Sequence, residues 1–124
     1  MADVVYFIQD MLFTSKVREV AKQIGVSVQA VRDPAALAAA AGSAKLVILD
    51  LRLPAASDAL ARLAADPLAR AVPSIGFVDH EKVEVMDDAR AKGCGQVMAK
   101  GQFASALPKL LAALAAAPAA PAAS

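Results

Sequence analysis

A doubly wound α/β domain built on a five-stranded parallel sheet is the fold this sequence predicts, and three observations predict it. Apolar runs such as Val4-Val5-Tyr6-Phe7-Ile8 and Leu46-Val47-Ile48-Leu49 are continuous rather than alternating, as in strands buried on both faces. Segments with apolar residues at helical spacing separate these runs. Glycine, proline and aspartate fall at the boundaries, where a strand gives way to a helix or a helix must stop.

Taken in order, the first strand ends in Gln9-Asp10, and Phe13, Val17, Val20, Ala21 and Ile24 then mark a helix stopped by Gly25. Val26 to Val31 is a short β-branched strand. Asp33-Pro34 follows as N-cap and first-turn proline of an alanine-rich helix that closes near Gly42. The third strand, Leu46 to Asp50, precedes a helix with Leu60, Leu63 and Ala64 on one face, closing at Asp66-Pro67. Pro73 to Val78 is the fourth strand, and Glu81 to Lys92 the fourth helix, with Val85, Met86 and Ala89 inward and its charges solvated. Gly93-Cys94-Gly95 breaks that helix, Gln96 to Ala99 is the fifth strand, and Ser105 caps a last helix carrying Leu107, Leu110, Leu111 and Leu114, with Pro108 in its first turn. Strands alternating with helices imply right-handed crossovers and helices on both faces, and the order 2-1-3-4-5 expected for this doubly wound class puts its switch point, and a crevice, at the carboxyl ends of strands one and three.

The 124 residues accommodate one domain, expected over 1–116, with an alanine and proline tail over 117–124 expected to be disordered. A formal charge of +1 supplies no field to draw the chain to nucleic acid or an anionic membrane. One cysteine, Cys94, rules out an internal disulfide, and one histidine, His80, leaves no histidine-based metal centre. No basic region precedes the first apolar run and no segment has the length of a membrane span, so the expected location is the cytoplasm.

The chemistry rests on Asp10, Asp50 and Lys100, which this topology sets at strand ends on one edge of the sheet. Two carboxylates suit a hard divalent cation, and a nearby ammonium neutralises an incoming phosphoryl group. With Leu49-Asp50-Leu51-Arg52-Leu53-Pro54 around the second acid, the chain resembles the receiver domains of bacterial two-component response regulators over nearly its whole length, and so the flavodoxin-like fold. The resemblance implies that Asp50 accepts a phosphoryl group. It implies magnesium held by Asp10, Asp50 and the backbone carbonyl of Arg52, with Lys100 stabilising charge. It also implies a histidine kinase, phosphotransfer protein or docking target as partner, bound through the fourth helix, fifth strand and fifth helix, and a monomer or weak homodimer that is not an enzyme beyond its own phosphorylation and dephosphorylation.

Five departures from the family pattern surround that site. Gln9 replaces the first acid of the pair and removes a charge that helps hold metal. Val78 replaces a Thr or Ser and forfeits a hydrogen bond worth ~1.5–3 kcal/mol to a charged group. Asp79 puts an acid where the family has a small residue, Val97 replaces the aromatic switch, and Gly101 follows Lys100 where the family has proline, so that a cis bond there is not expected. A stand-alone receiver-like signalling module and a degenerate version that binds partners without phosphorylation are both consistent with these residues. A flavodoxin-like small-ligand domain is the alternative of another class; it lacks a glycine-rich phosphate loop after the first strand.

Overall fold

The computed structural model describes residues 2–116, so the tail expected over 117–124 lies outside the described residues. Five parallel strands, β1 (Val4–Phe7), β2 (Val28–Ala30), β3 (Leu46–Asp50), β4 (Ser74–Val78) and β5 (Gln96–Ala99), form one sheet in the order β2-β1-β3-β4-β5. Between and after them run α1 (Met11–Ile24), α2 (Pro34–Ala41), α3 (Ala56–Ala65), α4 (Val83–Ala91) and α5 (Lys100–Ala116), with a short 3₁₀ turn at Ala69–Ala71.

Strand periodicity sorts the core into two layers. Val5, Phe7, Val47, Leu49 and Val78 pack with Leu37, Ala41, Ala59, Leu60, Leu63 and Ala89 of α2, α3 and α4 on one face. Tyr6, Ile48, Ile75 and Phe77 pack with Val17, Val20, Ala21, Phe103, Leu107 and Leu111 of α1 and α5 on the other. Both faces of the central strands are therefore covered, which is why their sequences show no alternation.

Local signals bound the helices as expected at two places. Gly25, at φ 91°, takes the left-handed conformation and donates its N–H to the Ala21 carbonyl at 2.8 Å. The Asp33 carboxylate accepts from the Ala36 N–H at 2.8 Å, with Pro34 opening α2.

Three expectations are corrected. The last helix starts at Lys100, not at Ser105, and carries Pro108 inside it. The early start is rewarded by Phe103, fully buried and stacked on Phe77 with centroids 4.5 Å apart, which continues the Leu107 and Leu111 stripe by one turn. Ala64 is exposed; Ala56 and Ala59 share the buried face of α3 with Leu60 and Leu63. The fourth helix begins at Val83, leaving Glu81 and Lys82 exposed ahead of it.

Because Ser105 lies within α5 and is exposed, Ser105→Ala is expected to change the unfolding free energy by less than about 0.5 kcal/mol, against the ~1 kcal/mol of a lost N-cap. Phe103→Ala is expected to cost about 3–5 kcal/mol. Urea denaturation of the two variants checks both, and a larger loss at Ser105 restores the later helix start.

Candidate functional site

The pairing of β1 with β3, Val4 opposite Leu46 through Phe7 opposite Leu49, carries both chains out of the sheet in the same direction at neighbouring positions. Asp50 is the last residue of β3 and its side chain is 2% exposed. Asp10 follows β1 as the N-cap of α1, where one carboxylate oxygen, Oδ1, accepts the N–H groups of Leu12 at 2.8 Å and Phe13 at 3.3 Å. Its second oxygen points into the crevice.

Between the two acids lies the side chain of Arg52. Its Nε and Nη2 donate to Oδ1 and Oδ2 of Asp50 at 2.8 and 2.9 Å, and the same Nη2 donates to Oδ2 of Asp10 at 3.1 Å. The Arg52 backbone N–H adds a bond to Asp50 Oδ1 at 3.0 Å. Both carboxylates thus lie within hydrogen-bond distance of one nitrogen, which measures their convergence. The forked contact with Asp50 matches the planar geometry of guanidinium and carboxylate.

The floor of the pocket is aromatic. Phe13, Phe77 and Phe103 stack in series, at 4.7 Å for Phe13 and Phe77, and the Arg52 guanidinium carbon sits 5.3 Å from the Phe13 ring centroid and 5.5 Å from that of Phe77. A weakly hydrated guanidinium tolerates such faces and is attracted to them.

These contacts set the ionisation of the site. Burial works against the Asp10 charge, but N–H donation from Phe13, Arg52 and Leu12 together holds its carboxyl below the usual range. The hydrogen bonds to Asp50 hold the Arg52 guanidinium still more firmly protonated than an ordinary arginine. The Lys100 ammonium, 2.6 Å from Asp79 Oδ1, keeps the Asp79 carboxyl below its usual range, and the Arg52 charge adds to that effect.

Each residue singled out from the sequence has a definite place. Lys100 reaches the same edge of the sheet, where its ion-pair partner is Asp79 and not Asp50. Gln9 is exposed. Val78 is buried in the layer that faces α2, α3 and α4, and Val97 packs against that same layer, so an apolar contact stands where a polar switch was sought. Gly101 lies in the first turn of α5, and no peptide bond among the described residues is cis. His80 is exposed, and Cys94 is buried, burial pushing its thiol up.

Sequence reasoning missed the Arg52 side chain, naming only its backbone carbonyl, and it missed the phenylalanine stack. A signal for the first existed: an arginine two residues past a strand-end aspartate can fold back on it.

The implied magnesium site would draw on this same donor set. All four carboxylate oxygens of Asp10 and Asp50 accept N–H donors, and three of the four accept from Arg52. With the guanidinium in place, the residues do not fit the ion.

No protein-family model matches the chain, and no curated protein matches it. Solved structures do. A response regulator receiver domain from Rhodospirillum rubrum is 21% identical with a TM-score of 0.72, covering 93% of this chain and 95% of that one. The receiver domain of the sensor histidine kinase PA1611 from Pseudomonas aeruginosa, with a magnesium ion in its active-site cleft, is 16% identical with a TM-score of 0.73, covering 94% and 100%. The chemotaxis response regulator CheY4 of Vibrio cholerae is 18% identical with a TM-score of 0.74, covering 92% and 98%. The chain therefore has the flavodoxin-like fold of response regulator receiver domains. Among the described residues no helix is long and apolar enough to cross a membrane.

Asp10 has two separable jobs. Asp10→Asn keeps the capping oxygen and loses only the partly exposed charge pair, so it is expected to cost under about 1 kcal/mol. Asp10→Ala loses the cap as well and is expected to cost about 1 kcal/mol more in urea denaturation. Equal losses would remove the capping role.

Proposed function

We propose that this chain is a receiver-like signalling module of a two-component or phosphorelay system, acting by docking onto a protein partner, with Asp50 as its phosphoryl-accepting position. The observation that carries this reading is the convergence of Asp10 and Asp50 on one Arg52 nitrogen at the strand-order reversal of a receiver fold. Lys100 and Asp79 supply a second ion pair at the same edge. The partner is a histidine kinase, a phosphotransfer protein or a docking target, and the surface assigned to it is that of α4, β5 and α5. The module is not an enzyme beyond phosphorylation and dephosphorylation of Asp50.

The chemistry would run through the Asp50 carboxylate. One of its oxygens forms a bond to phosphorus while the bond from phosphorus to the donor's oxygen or nitrogen breaks. Both oxygens are engaged by Arg52, which lowers their nucleophilicity, and Val78 offers no hydroxyl to the transferred group. Acceptance is therefore slow. The place a magnesium ion would take between Asp10 and Asp50 is held by the Arg52 guanidinium.

A second reading, docking that is independent of phosphorylation, is favoured by the apolar packing of Val78 and Val97, which leaves no hydroxyl-to-aromatic relay between the site and β5. Intact mass after incubation with acetyl phosphate or phosphoramidate decides between them. Slow gain of a single phosphate, abolished by Asp50→Asn, is the expected result. No gain after prolonged incubation retires Asp50 as an acceptor and leaves the second reading.

A further inference from the structure

We propose that Arg52 is the resident cation of the acidic pocket: its guanidinium stands between Asp10 and Asp50 in place of a dissolved divalent ion, and excludes such an ion for as long as it stays there. This rests on the receiver-like reading of the site and departs from it at one point, the need for metal.

Three observations carry it. The guanidinium satisfies both oxygens of the nearly inaccessible Asp50 and the crevice-facing oxygen of Asp10, so the carboxylates that a metal would use are already neutralised and hydrogen-bonded. The side chain is itself three-quarters buried and lies over Phe13 and Phe77, faces that suit a guanidinium and offer no oxygen to the waters a magnesium ion retains. The charge balance of the cluster is also nearly met without metal: three acids, Asp10, Asp50 and Asp79, face two cations, Arg52 and Lys100, leaving one negative charge, and Gln9 stands at the position whose charge would add a fourth acid.

A tethered cation has a further consequence. Because Arg52 is two residues from Asp50 and shares its backbone contact, the neutralising charge arrives with the fold, and the pocket is preorganised at any metal concentration. A divalent ion entering the wild-type pocket must first break three charged hydrogen bonds. Removing Arg52 removes that competition.

The test is a manganese titration followed by paramagnetic broadening of amide resonances, run on wild type, Arg52→Gln and Arg52→Ala. In the variants, broadening centred on residues 10–13 and 50–53 is expected at manganese concentrations at least about tenfold below any that affect the wild type. Asp50→Asn in the Arg52→Gln background should abolish it. Equal broadening in wild type and variants overturns the resident-cation proposal and leaves the receiver-like reading intact. No site-centred broadening in any of them also overturns the resident-cation proposal, because removal of the guanidinium then opens no metal site, and the receiver-like reading still stands or falls on the gain of phosphate at Asp50. Should the variants fail to fold, the Arg52 Nε–H resonance of the wild type still decides the matter. It is expected to stay put on addition of millimolar magnesium, with sodium chloride at matched ionic strength as control, and a magnesium-specific shift would overturn the proposal.

Discussion

Parallel pairing of β1 with β3 is the constraint on which the site depends. Two strands that run side by side in the same direction lead the chain out at the same edge, and here Asp50 at the end of one and Asp10 just past the end of the other are acids that sequence separates by forty positions. The pairing is held by burial on both faces, with Val5, Phe7, Val47 and Leu49 in one layer and Tyr6 and Ile48 in the other. Apolar burial of this kind carries no directional information about charge. It nevertheless forces two like charges together, and the fold must then supply a counter-charge.

Arg52 answers that demand from the closest available place on the chain. A carboxylate as inaccessible as that of Asp50 is costly unless paired and hydrogen-bonded, and a guanidinium satisfies both of its oxygens from one plane. The aromatic floor ties this polar device to the core. Phe13 comes from α1, Phe77 from β4 and Phe103 from α5, so the helices that cover one face of the sheet also shape the surface on which Arg52 lies. The early start of α5, which brings Phe103 into the stack, therefore bears on the site as well as on stability.

The opposite side of the site has lost its polarity. Val78 and Val97 both belong to the layer covered by α2, α3 and α4, where they add apolar contact in a place that a hydroxyl and an aromatic would make responsive to charge. Lys100 is engaged by Asp79, so this acid and this cation offset one another electrostatically at the same edge. The result is a receiver fold whose charged groups are mutually satisfied.

How much of this the sequence carried depends on the range of the interaction concerned. Strands β1, β3 and β5, the stops at Gly25 and Gly42 and the cap at Asp33 followed from periodicity and punctuation, because these are set by residues within a few positions of one another, and the strand order came with the doubly wound fold class that their succession indicates. The convergence of Asp10 and Asp50 followed from that order. The start of α5, the exposure of Ala64, the choice of Asp79 by Lys100 and the fold-back of Arg52 did not follow. Sequence alone determined that Asp10 and Asp50 reach the crevice, since the succession of strands and helices and the topology deliver them there. Only the tertiary structure decided which charge pairs with which, because that choice is made by distances of a few ångströms between side chains from different elements, and by an aromatic floor assembled from three of them.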